Sequence, residues 1–210
     1  MPGKALRMQR IINPKTQKTL IIPIDHGAGE GPMPGLEDMG SIISDVSEGG
    51  ANAIIGHMGM GIQSAKFKKP ETAFIYHLSV STRVNPMDKN DKVLVNGVER
   101  ALSMGADGAS VHINVGSKNE SSQLKDLGMV AAECQKYGLP LLAMMYPRGE
   151  GLTDDPKSED MVKLAARIGA ELGADIIKTY YTGNKESFAR VCASVPVPVV
   201  IAGGGKSSDK

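Results

Sequence analysis

Apolar residues along this chain gather in seven short runs, at 19–25, 52–57, 72–78, 108–114, 140–146, 174–179 and 196–202. Stretches such as Ile21-Ile22-Pro23-Ile24 and Leu141-Leu142-Ala143-Met144-Met145 are continuous rather than alternating, and so predict strands covered on both faces. Helical periodicity fills the intervals and predicts helices over 36–48, 92–104, 121–137, 158–172 and 185–193. The fourth of these has a clear start in Ser158-Glu159-Asp160 and a clear stop in Glu171-Leu172-Gly173.

One local pattern recurs. Gly50-Ala51-Asn52, Gly105-Ala106-Asp107 and Gly173-Ala174-Asp175 each stand just before an apolar run, and Tyr137-Gly138-Leu139-Pro140 is a looser copy. Glycine can take the left-handed position that ends a helix, while alanine and Asn or Asp make the turn into the strand. Gly105, Gly138 and Gly173 repeat at the length of one strand–helix unit, which predicts a parallel sheet. The first strand is followed by Asp25-His26-Gly27, not by the G-x-G-x-x-G turn of a doubly wound sheet, so the expected fold is an α/β (β/α)8 barrel. Such barrels typically need about 250 residues. The expectation is therefore one barrel domain over 1–210 that lacks its final βα portion, binds phosphate poorly, and leaves its first and seventh strands as open edges inviting association.

Composition narrows the function by exclusion. Lys plus Arg number 24 against 23 acidic residues, a net charge of +1, so no electrostatic footprint for nucleic acid is present. Residues 1–18 are polar and basic, and no apolar run approaches membrane-spanning length, which predicts a cytoplasmic protein without a membrane partner. Cys134 and Cys192 lie far apart in helix-like segments and read as packed free thiols.

In a barrel, chemistry sits at the C-terminal mouth, so the residue ending each strand matters most. Those residues are Asp25-His26, His57, His77, His112 with Asn114, Tyr146 with Arg148, Lys178, and Gly203-Gly204. Lys178 ends the run Ala174-Asp175-Ile176-Ile177. An amine at the edge of an apolar core loses hydration, which lowers its pKa and frees it to attack a carbonyl; the alternative is a lysine whose head snorkels to water. Asp25 is either a carboxylate that relays protons beside that amine or a cap for the turn through Gly27 and Gly29. Tyr146 is a proton donor and acceptor for a hydroxyl, or a core tyrosine; Arg148 is an anion fork, or a surface arginine. The glycines 203–205 let backbone amides approach an anion after the seventh strand. His57, His77 and His112 come from neighbouring strands and offer a zinc alternative, although none has a second ligand at short spacing. No metal and no cofactor is expected.

The segments Pro23-Ile24-Asp25-His26-Gly27, Leu142-Ala143-Met144-Met145-Tyr146-Pro147-Arg148-Gly149 and Asp175-Ile176-Ile177-Lys178-Thr179-Tyr180-Tyr181 resemble the archaeal-type class I aldolase family, in the same order and along essentially the whole chain. The resemblance implies that Lys178 forms a Schiff base, that Asp25 and Tyr146 transfer protons, and that His26, Gly27, Ala28, Gly29, Pro147, Arg148, Gly203 and Gly204 bind substrate. Within the family, Gly31-Pro32-Met33-Pro34-Gly35-Leu36 and His77-Leu78-Ser79 look most like the heptulosonate synthase branch. That branch would condense Lys178 with 6-deoxy-5-ketofructose 1-phosphate and pass the enamine left by carbon–carbon cleavage to aspartate semialdehyde, on the way to dehydroquinate. Fructose-bisphosphate cleavage on the same lysine is the alternative, and a sugar-phosphate-binding barrel without chemistry is a third. Homo-oligomerisation is implied by the resemblance alone.

Overall fold

The computed structural model describes residues 1–84 and 90–203. In chain order the elements are α1 (Pro2–Ile11), β1 (Ile21–Pro23), α2 (Gly27–Glu30), α3 (Met39–Glu48), β2 (Ala53–Gly56), α4 (Met58–Phe67), β3 (Ala73–His77), β4 (Ser79–Val80) and β5 (Val93–Leu94). They continue with α5 (Val98–Ser103), β6 (Gly108–Val115), α6 (Glu120–Tyr137), β7 (Leu141–Pro147), α7 (Glu159–Glu171), β8 (Ile176–Thr179), α8 (Lys185–Ala193) and β9 (Val199–Ile201). Seven strands pair in the order β1-β2-β3-β6-β7-β8-β9, every neighbour parallel, as expected of repeated strand–helix units. A separate two-strand antiparallel hairpin, β4–β5, hangs from the end of β3.

The period of two along each strand divides the core in two. Ala53, Ile55, Ala73, Ile75, Leu142, Met144, Tyr146 and Ile176 form an inner cluster, capped by Ile11 and Ile12 at the end of α1. Ile54, Phe74, Val111, Ile113, Ala143, Met145 and Ile177 belong to the outer cluster shared with the helices, including Leu127, Val130, Val162 and Ala165. No helix among the described residues is long and apolar enough to cross a membrane.

The recurring Gly-Ala-Asx turns behave alike, and do more than turn. Gly50, Gly105 and Gly173 all adopt positive φ, as does Gly138 of the looser copy. The Asx side chains then reach sideways to the neighbouring strand. Asn52 Oδ1 accepts from Leu20 N at 2.8 Å, Asp107 Oδ2 from Phe74 N at 2.9 Å, and Asp175 Oδ2 from Leu141 N at 2.9 Å. The amide of each Asx donates back to the carbonyl of the same partner, at 2.9, 3.0 and 2.9 Å. Each turn is thus a two-way clamp that fixes the register of adjacent strands at their N-terminal ends. Helix α1 supplies the counter-charges: Lys4 Nζ lies 2.9 Å from Asp175 Oδ2, and Arg10 Nη1 2.5 Å from Asp107 Oδ1.

Several expectations need correction. The helix read over 92–104 begins only at Val98, because Val93–Leu94 pair with Ser79–Val80 instead. Helix 36–48 starts at Met39, where the Asp38 side chain accepts from Ser41 N. Three helices were unforeseen, α1, α4 and the single turn α2. Cys134 is buried as expected, but Cys192 is exposed rather than packed; both thiols are free.

Candidate active site

The alternation that builds the inner cluster also aims the strand-end residues. Lys178 stands two positions after inward Ile176, and Tyr146 two after inward Met144, so both side chains face the barrel interior rather than the helices. By the same count His57 follows Ile55 and His77 follows Ile75. These residues line one cavity of about 600 Å³ at the C-terminal mouth, together with Asp25, His26, Gly29, His112, Arg148 and Gly203. Pro147 cannot join them, since adjacent residues of a strand point to opposite faces; it lines an outer cleft with Val115 and Leu152. Gly27 and Ala28 sit in α2 and do not line the cavity, and Gly204 and Gly205 lie outside the described residues.

The electrostatics single out the amine. Burial holds the Lys178 pKa below its ordinary value, and the one charge opposing that shift is Asp25. Asp25 does not cap the turn: among the described residues its carboxylate accepts no backbone amide, and it lies beside the His77 ring, with Nε2 and Oδ2 3.8 Å apart. Burial also pushes the Tyr146 phenol well above its usual range, reinforced by Tyr180 and Asp25, so it stays protonated. The Tyr146 ring packs on Tyr180 at 4.7 Å and on His112 at 5.0 Å between centroids, and the Arg148 guanidinium lies over it at 5.3 Å. Arg148 donates through Nε to the Tyr180 hydroxyl at 3.0 Å and through Nη2 to the same oxygen. The residue after Arg148 is fixed by contact: a Cβ on Gly149 would meet the Gly116 carbonyl oxygen at 2.2 Å.

The histidines are engaged with protein groups. His77 Nδ1 pairs with Ser110 Oγ at 2.8 Å, His57 Nδ1 with the His77 carbonyl at 3.2 Å, and His112 Nε2 with Asn114 Oδ1 at 2.9 Å. Burial lowers the His77 pKa to about 4 against the opposing charge of Asp25, and drives that of His112 down as well, so both rings are neutral at neutral pH. Among the described residues no group of three or more His, Cys, Asp or Glu is arranged to hold a metal ion.

Sequence reasoning missed Tyr180 and Lys92 in the cavity, along with Glu30 and Arg83. Tyr180 was legible, because it shares the inward parity of Lys178. Lys92 was not. It precedes the two-residue strand β5, too short to show any periodicity, and is carried over the mouth by the β4–β5 hairpin, where its Nζ donates to Ser81 Oγ at 2.6 Å.

The chain is 44% identical over 209 residues to 2-amino-3,7-dideoxy-D-threo-hept-6-ulosonate synthase 1 of Archaeoglobus fulgidus, covering 100% of this chain and 76% of that protein. It is 39% identical over 212 residues to 2-amino-4,5-dihydroxy-6-oxo-7-(phosphonooxy)heptanoate synthase of Streptomyces griseus, covering 99% and 75%. The structure superposes on an archaeal fructose-1,6-bisphosphate aldolase, solved with its catalytic lysine covalently bound to a carbinolamine intermediate, at a TM-score of 0.87, with 27% identity and coverage of 98% and 82%. Residues 19–210 match the DeoC/LacD family of aldolases, and the chain belongs to that family.

Proposed function

We propose that this member of the DeoC/LacD aldolase family is a class I, Schiff-base transaldolase that forms 2-amino-3,7-dideoxy-D-threo-hept-6-ulosonate, with Lys178 as its nucleophile. The observation that carries the reading is the desolvated Lys178 amine on the inner face of the mouth, acted on by the Asp25 carboxylate and sharing its cavity with the Tyr146 phenol. The free amine adds to a ketone, and loss of water gives an iminium. The iminium accepts the electron pair of the adjacent carbon–carbon bond as that bond breaks, releasing an aldehyde and leaving an enamine. The enamine attacks the second aldehyde, and water then frees the product and the lysine. Tyr146, kept protonated by burial, suits the addition half, where its phenol donates a proton to the aldehyde oxygen as the carbon–carbon bond forms; Asp25 suits the protons moved at nitrogen and offsets the iminium charge.

The product's chemistry says which half of the donor stays on the enzyme. A 7-deoxy-6-ulose ends in a methyl ketone, so the retained three carbons are the deoxy end of the donor, 6-deoxy-5-ketofructose 1-phosphate. The phosphate then departs with the aldehyde fragment, and the four-carbon acceptor, aspartate semialdehyde, replaces it. Cytoplasmic location and homo-oligomeric assembly belong to the same reading and are tested by fractionation and light scattering.

The test is borohydride reduction in the presence of donor, which is expected to fix the retained fragment on Lys178, followed by mass spectrometry for a seven-carbon product when aspartate semialdehyde is supplied. Ligand-induced stabilisation without any adduct would replace the enzyme by a binding barrel. The fold shared with the archaeal aldolase favours one second reading, cleavage of fructose bisphosphate on the same lysine. It wins if fructose bisphosphate is cleaved while no seven-carbon product forms.

A further inference from the structure

We infer that Lys92 and Arg148 form an anion clamp for the aldehyde half of the reaction, holding the acidic group of the acceptor while the enamine on Lys178 attacks its carbonyl. The inference rests on the function proposed above and adds the subsite that would choose the acceptor.

Three observations carry it. First, both cations line the same cavity as Lys178, and among the described residues neither forms an ion pair. Each is held instead by a neutral hydroxyl, Lys92 by Ser81 and Arg148 by Tyr180, which orients the head group without cancelling its charge. The third guanidinium nitrogen of Arg148, Nη1, has no hydrogen-bond partner among the described residues. Second, burial and then the repulsive charge of Arg148 both disfavour the Lys92 ammonium, against the opposing charges of Asp25, Glu30 and Asp91. Two like charges lining one cavity, Lys92 half-buried and Arg148 exposed, are relieved when an anion sits between them. Third, the sheet order separates this pair from the glycine loop. Lys178 on β8 has β9 and Gly203 on one side, whereas Arg148 follows β7 on the other and Lys92 hangs from β3, beyond β6. The clamp therefore faces the Tyr146 side of the amine, where the reacting aldehyde oxygen would lie.

Both aldehydes that pass through this half carry an acid, the departing fragment a phosphate and the acceptor a carboxylate. One pair of cations would serve both in turn.

The test uses hydroxyacetone as an uncharged donor, so that no donor phosphate confuses the result. Its aldol addition is compared for three acceptors: aspartate semialdehyde, glyceraldehyde 3-phosphate and propanal. In Lys92→Gln the preference in kcat/KM for each charged aldehyde over propanal is expected to fall roughly ten- to a hundredfold, the worth of one charge-assisted hydrogen bond. Lys92→Arg should recover most of it. A fall confined to one charged acceptor identifies which acid the clamp reads. An unchanged preference, or an equal fall for all three acceptors as a proton-transfer or purely structural role would give, overturns the inference. Borohydride trapping of hydroxyacetone on Lys178 in the wild type separates the two levels. Trapping with an unchanged preference sinks only the clamp, whereas no trapping sinks the proposed function with it.

Discussion

The two ends of the same strands treat charge in opposite ways. At the N-terminal ends Asp107 and Asp175 each accept a strand amide and meet a cation from α1, so the charged groups there have both a hydrogen bond and a counter-ion. At the C-terminal mouth Lys178, Lys92 and Arg148 share one cavity, and none of them has an ion-pair partner among the described residues. Residue types are similar at both ends, and what differs is satisfaction. The satisfied end holds the strands in register, whereas the unsatisfied end keeps groups in states that a substrate would complete.

That contrast can be broken at several points. The largest effect is expected from Lys178→Met, which should cut turnover on the order of a thousandfold or more and abolish borohydride trapping, while thermal melting stays level or rises because a desolvated amine is gone. Melting that collapses with activity would erase the distinction between the ends. Tyr146→Phe should lower the rate of the carbon–carbon step by roughly a hundred- to ten-thousandfold, seen in single-turnover kinetics, with little change in melting.

The pH dependence of stability sharpens the contrast. His77 has its pKa depressed from 6.5 to about 4, so between those values the unfolded chain binds a proton that the folded one refuses. Stability is full above 6.5 and falls as pH drops through that window, by up to roughly 3 kcal/mol. Denaturant titrations of His77→Gln should lose that part of the slope. At the opposite end Asp107→Ala removes the acceptor of the Phe74 amide and the partner of Arg10, and should cost about 2 kcal/mol in denaturant unfolding while kcat/KM in the folded protein holds. Activity lost in proportion would mean that the clamps reach the mouth.

Much of the site was legible because strand alternation is a strict rule. Once Ile176 and Met144 are read as core, Lys178 and Tyr146 must share their face, and Pro147 must leave it. Helix α8 was read to its limits, and Ser158 caps α7 through Met161 N as its composition implied. Illegible elements lacked a periodic signal. Helix α1 buries only Ile11, packs Met8 in part and leaves Leu6 exposed. Helix α4 carries Gly59 and Gly61, which read as loop; at Gly61 a Cβ would meet the Tyr76 hydroxyl at 1.9 Å, so the ring of β3 dictates the glycine. The Asx clamps were half-read: the turn follows from local chemistry, but the sideways bond depends on which strand lies next door, which no local window contains.

Because the handshakes of Asn52, Asp107 and Asp175 set strand alignment from below, the connections above inherit fixed attachment points. A segment transplanted from a relative into the rim would find its two anchor residues already spaced and oriented, which makes the rim of this scaffold a socket for exchanging specificities without redesigning the base.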